Sequence, residues 1–188
     1  MKPKIIKLKE DYLAVNKPAG YLSQASENKD DLSIFSLDEL RKKNAHVLTR
    51  IDRPVSGLVL AALSKGFNMY FQKIQKEDKV QKTYIAIVEG KIEENNGTLN
   101  HFLFHNKKKF KSYISDVASE NFKPIQLEYE LVKALDNYNV LFVTLKQGKF
   151  HQIRAQLAHI GMPVKGDVKY GARRKNKDRS IHLHAYKV

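Results

Sequence analysis

The sequence predicts a single α+β domain in which strands outnumber helices. Several short segments are rich in β-branched and aromatic residues and alternate apolar with polar side chains, which is typical of strands. Two segments, 32–43 and 66–76, instead place apolar side chains at helical spacing. The chain has 188 residues, enough to bury a core, and no linker or repeat divides it. We therefore expect one domain over residues 1–188.

In the N-terminal half, Glu10 and Asp11 form a turn between two predicted strands, 4–8 and 12–16. Asn16-Lys17-Pro18-Ala19-Gly20 predicts a sharp turn, because proline and glycine stand at turn positions. Residues 23–31 are polar and predict a loop. Residues 32–43 then predict a helix with a basic end.

Further strands and helices follow from the same periodicities. A continuous aliphatic run predicts a buried strand at 57–62. The helix at 66–76 carries an aliphatic and aromatic stripe that we assign to the core: Phe67, Tyr70, Phe71 and Ile74. The remaining predicted elements are a strand at 82–88, a turn at 95–97, a strand at 98–104, a hairpin of 125–135 with 139–145, and a helix at 151–160.

Composition restricts the function classes. Lys and Arg number 34 against 20 Asp and Glu, a formal charge of +14 that is spread along the chain and favours a polyanionic partner such as nucleic acid. The absence of cysteine excludes disulfides and cysteine-ligated zinc. No apolar run reaches the roughly 20 residues of a membrane span, and the N-terminus lacks a signal peptide core. We expect a cytoplasmic protein without membrane contact, and nothing requires more than a monomer.

A candidate catalytic carboxylate lies in residues 48–60. Asp52 stands between Arg50 and Arg53, ahead of a turn and the buried strand. Two guanidinium groups favour an ionised carboxylate, which suits nucleophilic or electrostatic work better than general-acid work. The alternative is a solvated aspartate in a basic loop.

A second candidate segment opens the helix at 151–160. It reads Gln-Gly-Lys-Phe-His-Gln-Ile-Arg over residues 147–154. Arg154 shares a helix face with small alanines, so another chain segment can approach it closely; the alternative is an arginine extending to solvent.

Two further features have competing interpretations. His101 and His105 are four residues apart, but on a strand that spacing separates them by about 13 Å, so a shared metal is disfavoured. Residues 106–111 and 173–179 are basic and are either solvated loops or contacts to RNA phosphates.

Several motifs together resemble the RluA-type pseudouridine synthases, which isomerise uridine in RNA. Arg-Ile-Asp-Arg-x-x-Ser-Gly-Leu at 50–58 resembles that family's catalytic motif, and Lys-x-Tyr-x-Ala-x-Val-x-Gly at 82–90 resembles its second motif. Gly-Lys-Phe-His-Gln-Ile-Arg at 148–154 resembles a third. Segments 16–20, 162–171 and 181–185 also match in order, so the resemblance covers about residues 12–185.

The resemblance implies a fold and roles for particular residues. The family fold is a mixed, mostly antiparallel bent sheet flanked by helices around a central cleft. Asp52 is then the catalytic residue, Tyr84 contacts the reacting nucleoside, and Arg154 pairs with Asp52. Substrate binding is assigned to Lys17, Arg50, Arg53, Lys149, His151 and Gln152. The family reaction uses neither cofactor nor metal. From its place in the chain, Asp167 is expected to be structural, capping a turn, rather than a second catalytic acid.

Three departures from the family pattern keep an alternative open. Thr49 replaces a usual histidine, Val55 a usual threonine and Lys149 a usual arginine. A catalytically inactive RNA-binding or ribosome-assembly protein of the same fold is therefore the competing interpretation. The small N-terminal RNA-binding domain that many members carry is expected to be absent. Ribosomal RNA is favoured over transfer RNA as the substrate, although both are compatible.

Overall fold

The computed structural model describes residues 1–28 and 30–188, and it divides the chain into two compact units. The first unit contains residues 1–80 with 184–188, and the second contains residues 81–183. Across the described part of the chain, no helix is long and apolar enough to cross a membrane. The single catalytic domain expected over residues 1–188 stays a prediction.

The chain contains ten strands and three α-helices within the described residues. In chain order they are β1 (Lys4–Leu8), β2 (Tyr12–Lys17), α1 (Asp38–Lys42), β3 (His46–Val47), β4 (Ser56–Ala62), α2 (Lys65–Lys76), β5 (Lys82–Val88), β6 (Asn96–Asn106), β7 (Lys111–Ser115), β8 (Lys123–Ala134), β9 (Asn139–Leu145), α3 (Gln152–His159) and β10 (Leu183–Lys187). Short 3₁₀ turns occupy Ile34–Ser36 and Val168–Tyr170.

In the first unit, β2 and β4 form the centre of the sheet. β2 pairs antiparallel with β1 and β4, and β3 pairs antiparallel with β4. β10 pairs with β4 in parallel, through His184 opposite Ser56 and Ala185 opposite Gly57. At Gly57, which has φ +116°, any side chain would collide with the backbone of Ala185. The parallel pair makes the sheet mixed, and the few helices beside it give the α+β class that the sequence predicts.

In the second unit, five strands pair antiparallel in the order β5-β9-β8-β6-β7. The predicted hairpin of 125–135 with 139–145 is confirmed as β8 and β9. Apolar side chains of this hairpin and of α3 are buried: Leu127, Leu141, Val143 and Leu157 are at most 1% exposed. α3 contacts β6 and β7, and its first residue, Gln152, donates to the Gln126 carbonyl of β8, which fixes the start of the helix.

Three predicted elements differ from the structure. The helix expected at 32–43 is interrupted at Leu37, whose extended backbone separates the 3₁₀ turn from α1, although its apolar positions Ile34 and Leu40 are fully buried. The turn expected at 95–97 is already the start of β6, because Gly97 pairs with Tyr129 of β8. In the aromatic stripe of α2, Phe71 is buried but Tyr70 is 57% exposed.

Candidate active site

The loop that carries Asp52, residues 48–55, is held at both ends by hydrogen bonds within the first unit. The hydroxyl of Thr49 accepts from the Leu60 N–H at 2.9 Å. Ser23 is buried, and its hydroxyl accepts from the Ile51 N–H at 3.1 Å and donates to the Ile51 carbonyl at 2.9 Å. The Asp52 carbonyl accepts from the Val55 N–H at 3.0 Å. The threonine that departs from the family pattern therefore has a positioning contact of its own.

Lys17 lies beneath this loop and is 0% exposed. Its ammonium donates to the carbonyls of Val55 and Tyr21 at 2.7 Å each, with longer bonds to Pro18 at 3.1 Å and Arg53 at 3.4 Å. Burial lowers the pKa of Lys17 to about 8; the Asp52 carboxylate opposes this shift and Arg53 adds to it. The structure thus gives Lys17 a role in holding the loop, and its contact with substrate stays a prediction.

The two arginines that flank Asp52 differ in how they are held. Arg53 donates from Nε to the Gly20 carbonyl at 3.0 Å and from Nη1 to Asp31 at 2.9 Å, and its own carbonyl accepts from the Gly20 N–H at 2.7 Å. Arg50 is exposed and donates to the side chain of Gln24 at 3.0 Å. Arg53 therefore ties the turn at Gly20 to the loop that carries Asp52, whereas Arg50 reaches into solvent.

In the second unit, Arg154 is buried and paired with an acid that the sequence analysis did not assign to it. Its Nε lies 2.5 Å from Oδ2 of Asp167, and its Nη2 lies 2.9 Å from Oδ1. The guanidinium also lies 5.0 Å from the Tyr170 ring centre. The expectation that Asp167 caps a turn is wrong, since its side chain makes no capping bond and is 2% exposed in this pair. The motif Gly166-Asp167 marks this acid in the sequence. Its partner Arg154 lies 13 residues earlier, so the motif alone does not reveal the pair. The pair between Arg154 and Asp52 stays a prediction.

Gln152, predicted to bind substrate, is buried in a chain of hydrogen bonds. Its Oε1 accepts from the Lys149 N–H at 2.9 Å, and its Nε2 donates to the Gln126 carbonyl and to Gln156 Oε1, each at 3.0 Å. Gln152 is 3% exposed, so in this structure it fastens the start of α3 to β8. Lys149 itself is exposed. Contact of either residue with substrate stays a prediction.

His151 has a left-handed backbone, with φ 54° and ψ 21°, so the helix begins one residue later than predicted, at Gln152. Its ring stacks on Phe150 at 3.8 Å, and its Nδ1 lies 2.9 Å from the Tyr170 hydroxyl. A left-handed conformation at a non-glycine residue costs free energy and is concentrated at functional sites. The contact of His151 with substrate stays a prediction.

Tyr84 occupies the middle of β5, opposite Val143 of β9. It is half-buried, on the strand face that it shares with the buried Ala86 and Val88, as the alternation predicts. Lys82, two residues earlier, is 7% exposed, and burial lowers its pKa. The sequence analysis did not single out Lys82, because a lysine at a strand end is ordinarily solvated.

A cluster of His101, Asp116 and His159 has ligand atoms within 4.8 Å of one another. The Nε2 atoms of His159 and His101 lie 2.9 Å and 3.6 Å from the same Asp116 oxygen. On its other side, Nδ1 of His101 faces Gln156 Nε2 at 3.1 Å, an amide nitrogen that also donates to the Leu99 carbonyl. Nδ1 must therefore accept, which leaves the proton of a neutral ring on Nε2, towards Asp116. A metal-bound histidine needs the opposite pattern, so the geometry favours hydrogen bonds within this cluster.

Comparison with known proteins defines the class. A solved human structure, RNA Pseudouridylate Synthase Domain Containing 1, is 26% identical, covers 98% of this chain and 76% of that chain, and has a TM-score of 0.81. A second, RNA Pseudouridylate Synthase Domain Containing 4, has a TM-score of 0.78 at 20% identity, with 96% and 81% covered. The fold is that of the pseudouridine synthases.

The family follows from the sequence match. The model of the RNA pseudouridylate synthase family matches residues 11–159, and the chain belongs to this family. It is similar to the tRNA pseudouridine synthase C of Haemophilus ducreyi, at 31% identity over 89% of this chain and 74% of the relative. It is also similar to the ribosomal large subunit pseudouridine synthase C of Rickettsia felis, at 36% identity over 95% of this chain and 60% of the relative. These relatives confirm the predicted RluA-type membership.

Proposed function

We propose that this protein isomerises specific uridines in structured RNA to pseudouridine, with Asp52 as the essential carboxylate. The observation that carries the proposal is the fixed catalytic loop of a family member. The loop around Asp52 is held by hydrogen bonds from Thr49, Ser23 and the buried Lys17. A preorganised charged group stabilises developing charge without reorganising during the reaction, which is usually the largest single contribution to catalysis.

The proposed reaction leaves the composition of the uridine unchanged. The bond from N1 to C1′ breaks, the uracil turns, and a bond from C5 to C1′ forms. The C5 proton leaves, and N1 gains a proton. Asp52 takes part either by attacking C6 of the base or by acting at C1′ as the N-glycosidic bond breaks. Both routes need an ionised Asp52, and neither needs a redox partner.

The other predicted residues have supporting roles. Tyr84 contacts the base or moves a proton, and Arg154 pairs with the Asp52 carboxylate and orients it. A uridine within a helix must first leave its stack, at a cost of a few kcal/mol. The exposed guanidinium of Arg50 stabilises that flipped state by filling the vacated space or by holding a phosphate.

The proposed substrate is ribosomal RNA rather than transfer RNA. The relative named for the ribosomal large subunit is 36% identical, against 31% for the relative named for transfer RNA. The charge of +14 suits either polyanion. We further propose that the protein acts as a monomer, in the cytoplasm, and without cofactor or metal.

Loss of the C5 proton supplies a direct assay. RNA transcripts carrying tritium at C5 of uridine release tritium to water only when that bond is broken. We expect release from ribosomal RNA fragments with wild-type protein, and loss of at least about a thousandfold in rate with Asp52→Asn, since a covalent or charge-stabilising group contributes on this scale.

The matched control is Asp38→Asn, which removes an exposed carboxylate of α1 that is paired with Arg41. It should release tritium at the wild-type rate. Release that persists with Asp52→Asn would contradict the catalytic assignment. Release from transfer RNA alone would overturn the proposed substrate class while leaving the reaction in place.

A further inference from the structure

The turn between β6 and β7 presents an aromatic ring among three lysines, and we name residues 107–110 the basic–aromatic tip. Lys107, Lys108, Lys109 and Phe110 are all exposed, and Phe110 is 67% exposed. A single exposed apolar residue needs no explanation by itself. Here, however, the ring stands in the middle of a strongly basic and well-formed turn, so its exposure is part of a defined geometry.

The turn itself holds Phe110 outward. Asn106 Oδ1 accepts from the Lys109 N–H at 3.0 Å, and the Lys107 carbonyl accepts from the Phe110 N–H at 3.3 Å. Phe110 has φ +46°, a left-handed conformation that is rare for a bulky side chain. The left-handed backbone at Phe110 therefore costs free energy, and this cost is not offset by burial of the ring.

The base of the tip is fastened to the segment that carries the predicted substrate residues of the second unit. The Ser112 N–H donates to the Tyr170 hydroxyl at 2.8 Å, and the Ser112 hydroxyl donates to the Phe150 carbonyl at 2.5 Å. The Lys111 ammonium lies 5.2 Å from the centre of the Tyr170 ring. That tyrosine also contacts His151, and its ring lies 5.0 Å from the Arg154 guanidinium.

We propose that the basic–aromatic tip binds the RNA strand beside the target uridine, with Phe110 stacked on an unpaired base and the lysines on neighbouring phosphates. The inference rests on the proposed function. An exposed ring next to cationic side chains is the combination by which proteins hold single-stranded or unstacked nucleotides, because every base has a π-face and every linkage a negative charge. An acidic protein partner would match the lysines but leaves the ordered aromatic ring without a role.

The test measures equilibrium binding of a fluorescent ribosomal RNA fragment to Asp52→Ala protein, in which chemistry cannot proceed. Adding Phe110→Ala should weaken binding about five- to a hundredfold, the range for loss of one base stack. Phe110→Trp should keep or tighten binding, whereas Phe110→Leu, which keeps apolar bulk without a π-face, should behave like alanine. The matched control is Tyr70→Ala, which removes another exposed ring, on α2, and should leave binding unchanged.

Salt dependence separates phosphate contacts from stacking. Log affinity falls as log salt rises. Replacing Lys107, Lys108 and Lys109 by alanine should make this slope shallower by about 2, at roughly 0.7 per phosphate contact on a single strand. Phe110→Ala should lower the affinity without changing the slope. Equal binding by Phe110→Ala and the Tyr70→Ala control overturns the proposal, as does Phe110→Leu binding that matches wild type.

The two proposals fail in distinguishable ways. Tritium release by the wild-type protein together with unchanged RNA binding by Phe110→Ala overturns only the role of the tip. No tritium release and no RNA binding by the wild-type protein overturns both. If Phe110→Ala instead loses binding to polyglutamate and keeps binding to RNA, the partner of the tip is an acidic protein and the RNA assignment is wrong.

Discussion

The ammonium of Lys17 donates to the carbonyl of Val55 at 2.7 Å, across 38 residues of sequence. The same ammonium also lies within hydrogen-bond distance of the carbonyls of Tyr21, Pro18 and Arg53, so its three N–H donors face four oxygens around a fully buried side chain. Two turns that are distant in sequence thus share one cation, and the loop with Asp52 depends on it.

Removing that cation should weaken both the fold and the activity. Lys17→Met keeps the apolar stem but leaves the carbonyls of Val55 and Tyr21 buried without their donor, which costs about 1–3 kcal/mol each. We expect unfolding in urea to show a loss of about 2–4 kcal/mol, with a fall in kcat for tritium release. Lys7→Met, on an exposed position of β1, should change neither quantity. Wild-type stability and kcat in Lys17→Met would show that the four bonds have no effect on the loop.

The pH dependence of Lys17 should separate activity from stability. Because the pKa of Lys17 is lowered to about 8 from 10.5, the unfolded chain binds more protons than the folded chain between those values. The contribution of Lys17 to the free energy of unfolding should therefore increase as pH rises through that window. Activity should instead fall above pH 8, since the neutral amine loses a donor and its charge beside Asp52. A pH–kcat profile of wild type against Lys17→Met checks this: the alkaline limb near pH 8 should be missing in the variant.

Breaking the buried pair of Arg154 and Asp167 should be costly. Asp167→Ala leaves a guanidinium that is 6% exposed without the carboxylate that its Nε contacts, which typically costs about 3–5 kcal/mol. Asp38→Ala removes a carboxylate from the equally short but exposed pair with Arg41, which is worth at most about 1 kcal/mol. Urea unfolding of the two variants should show this contrast. Equal losses would mean that burial does not distinguish the pairs.

Acid should destabilise the fold through three histidines whose pKa is lowered mainly by burial: His101, His182 and His184. Below pH 6.5 the unfolded chain takes up these protons first, so stability present above pH 6.5 is lost as pH falls through the lowered folded values. Burial alone lowers the pKa of His184, which is half-buried beside the β4–β10 pair, with its Nδ1 2.8 Å from the Ser56 hydroxyl. Urea unfolding between pH 8 and pH 5.5 should show a falling free energy. His184→Gln should flatten this fall, whereas His46→Gln, at an exposed site, should not.

Much of the fold was predictable from local patterns. The strands at 82–88 and 139–145 agree with the structure to the residue, because both combine β-branched residues with turn residues at their ends. The prediction of one continuous helix at 32–43 was wrong at Leu37. The Ser33 hydroxyl accepts from the Phe35 N–H and favours a tight 3₁₀ turn over a continuing helix. Propensity alone does not reveal that competition.

The candidate site was predictable in its residues but not in their contacts. Sequence motifs selected Asp52, Tyr84, Arg154 and Lys17. The burial of Lys17 among four carbonyls, however, has no sequence signature. The pairing of Arg154 with Asp167 was missed for the same reason, as was the amide chain through Gln152. Each depends on where separate segments meet, and one-dimensional spacing does not encode that meeting.

Pseudouridine mapping on total RNA is the measurement that tests the central claim most directly. Cells with the gene deleted would be compared with deleted cells that carry wild type or Asp52→Ala. The account predicts that one or a few ribosomal RNA sites disappear on deletion and return only with wild type. Full return of those sites with Asp52→Ala, or no change at any site on deletion, would contradict it.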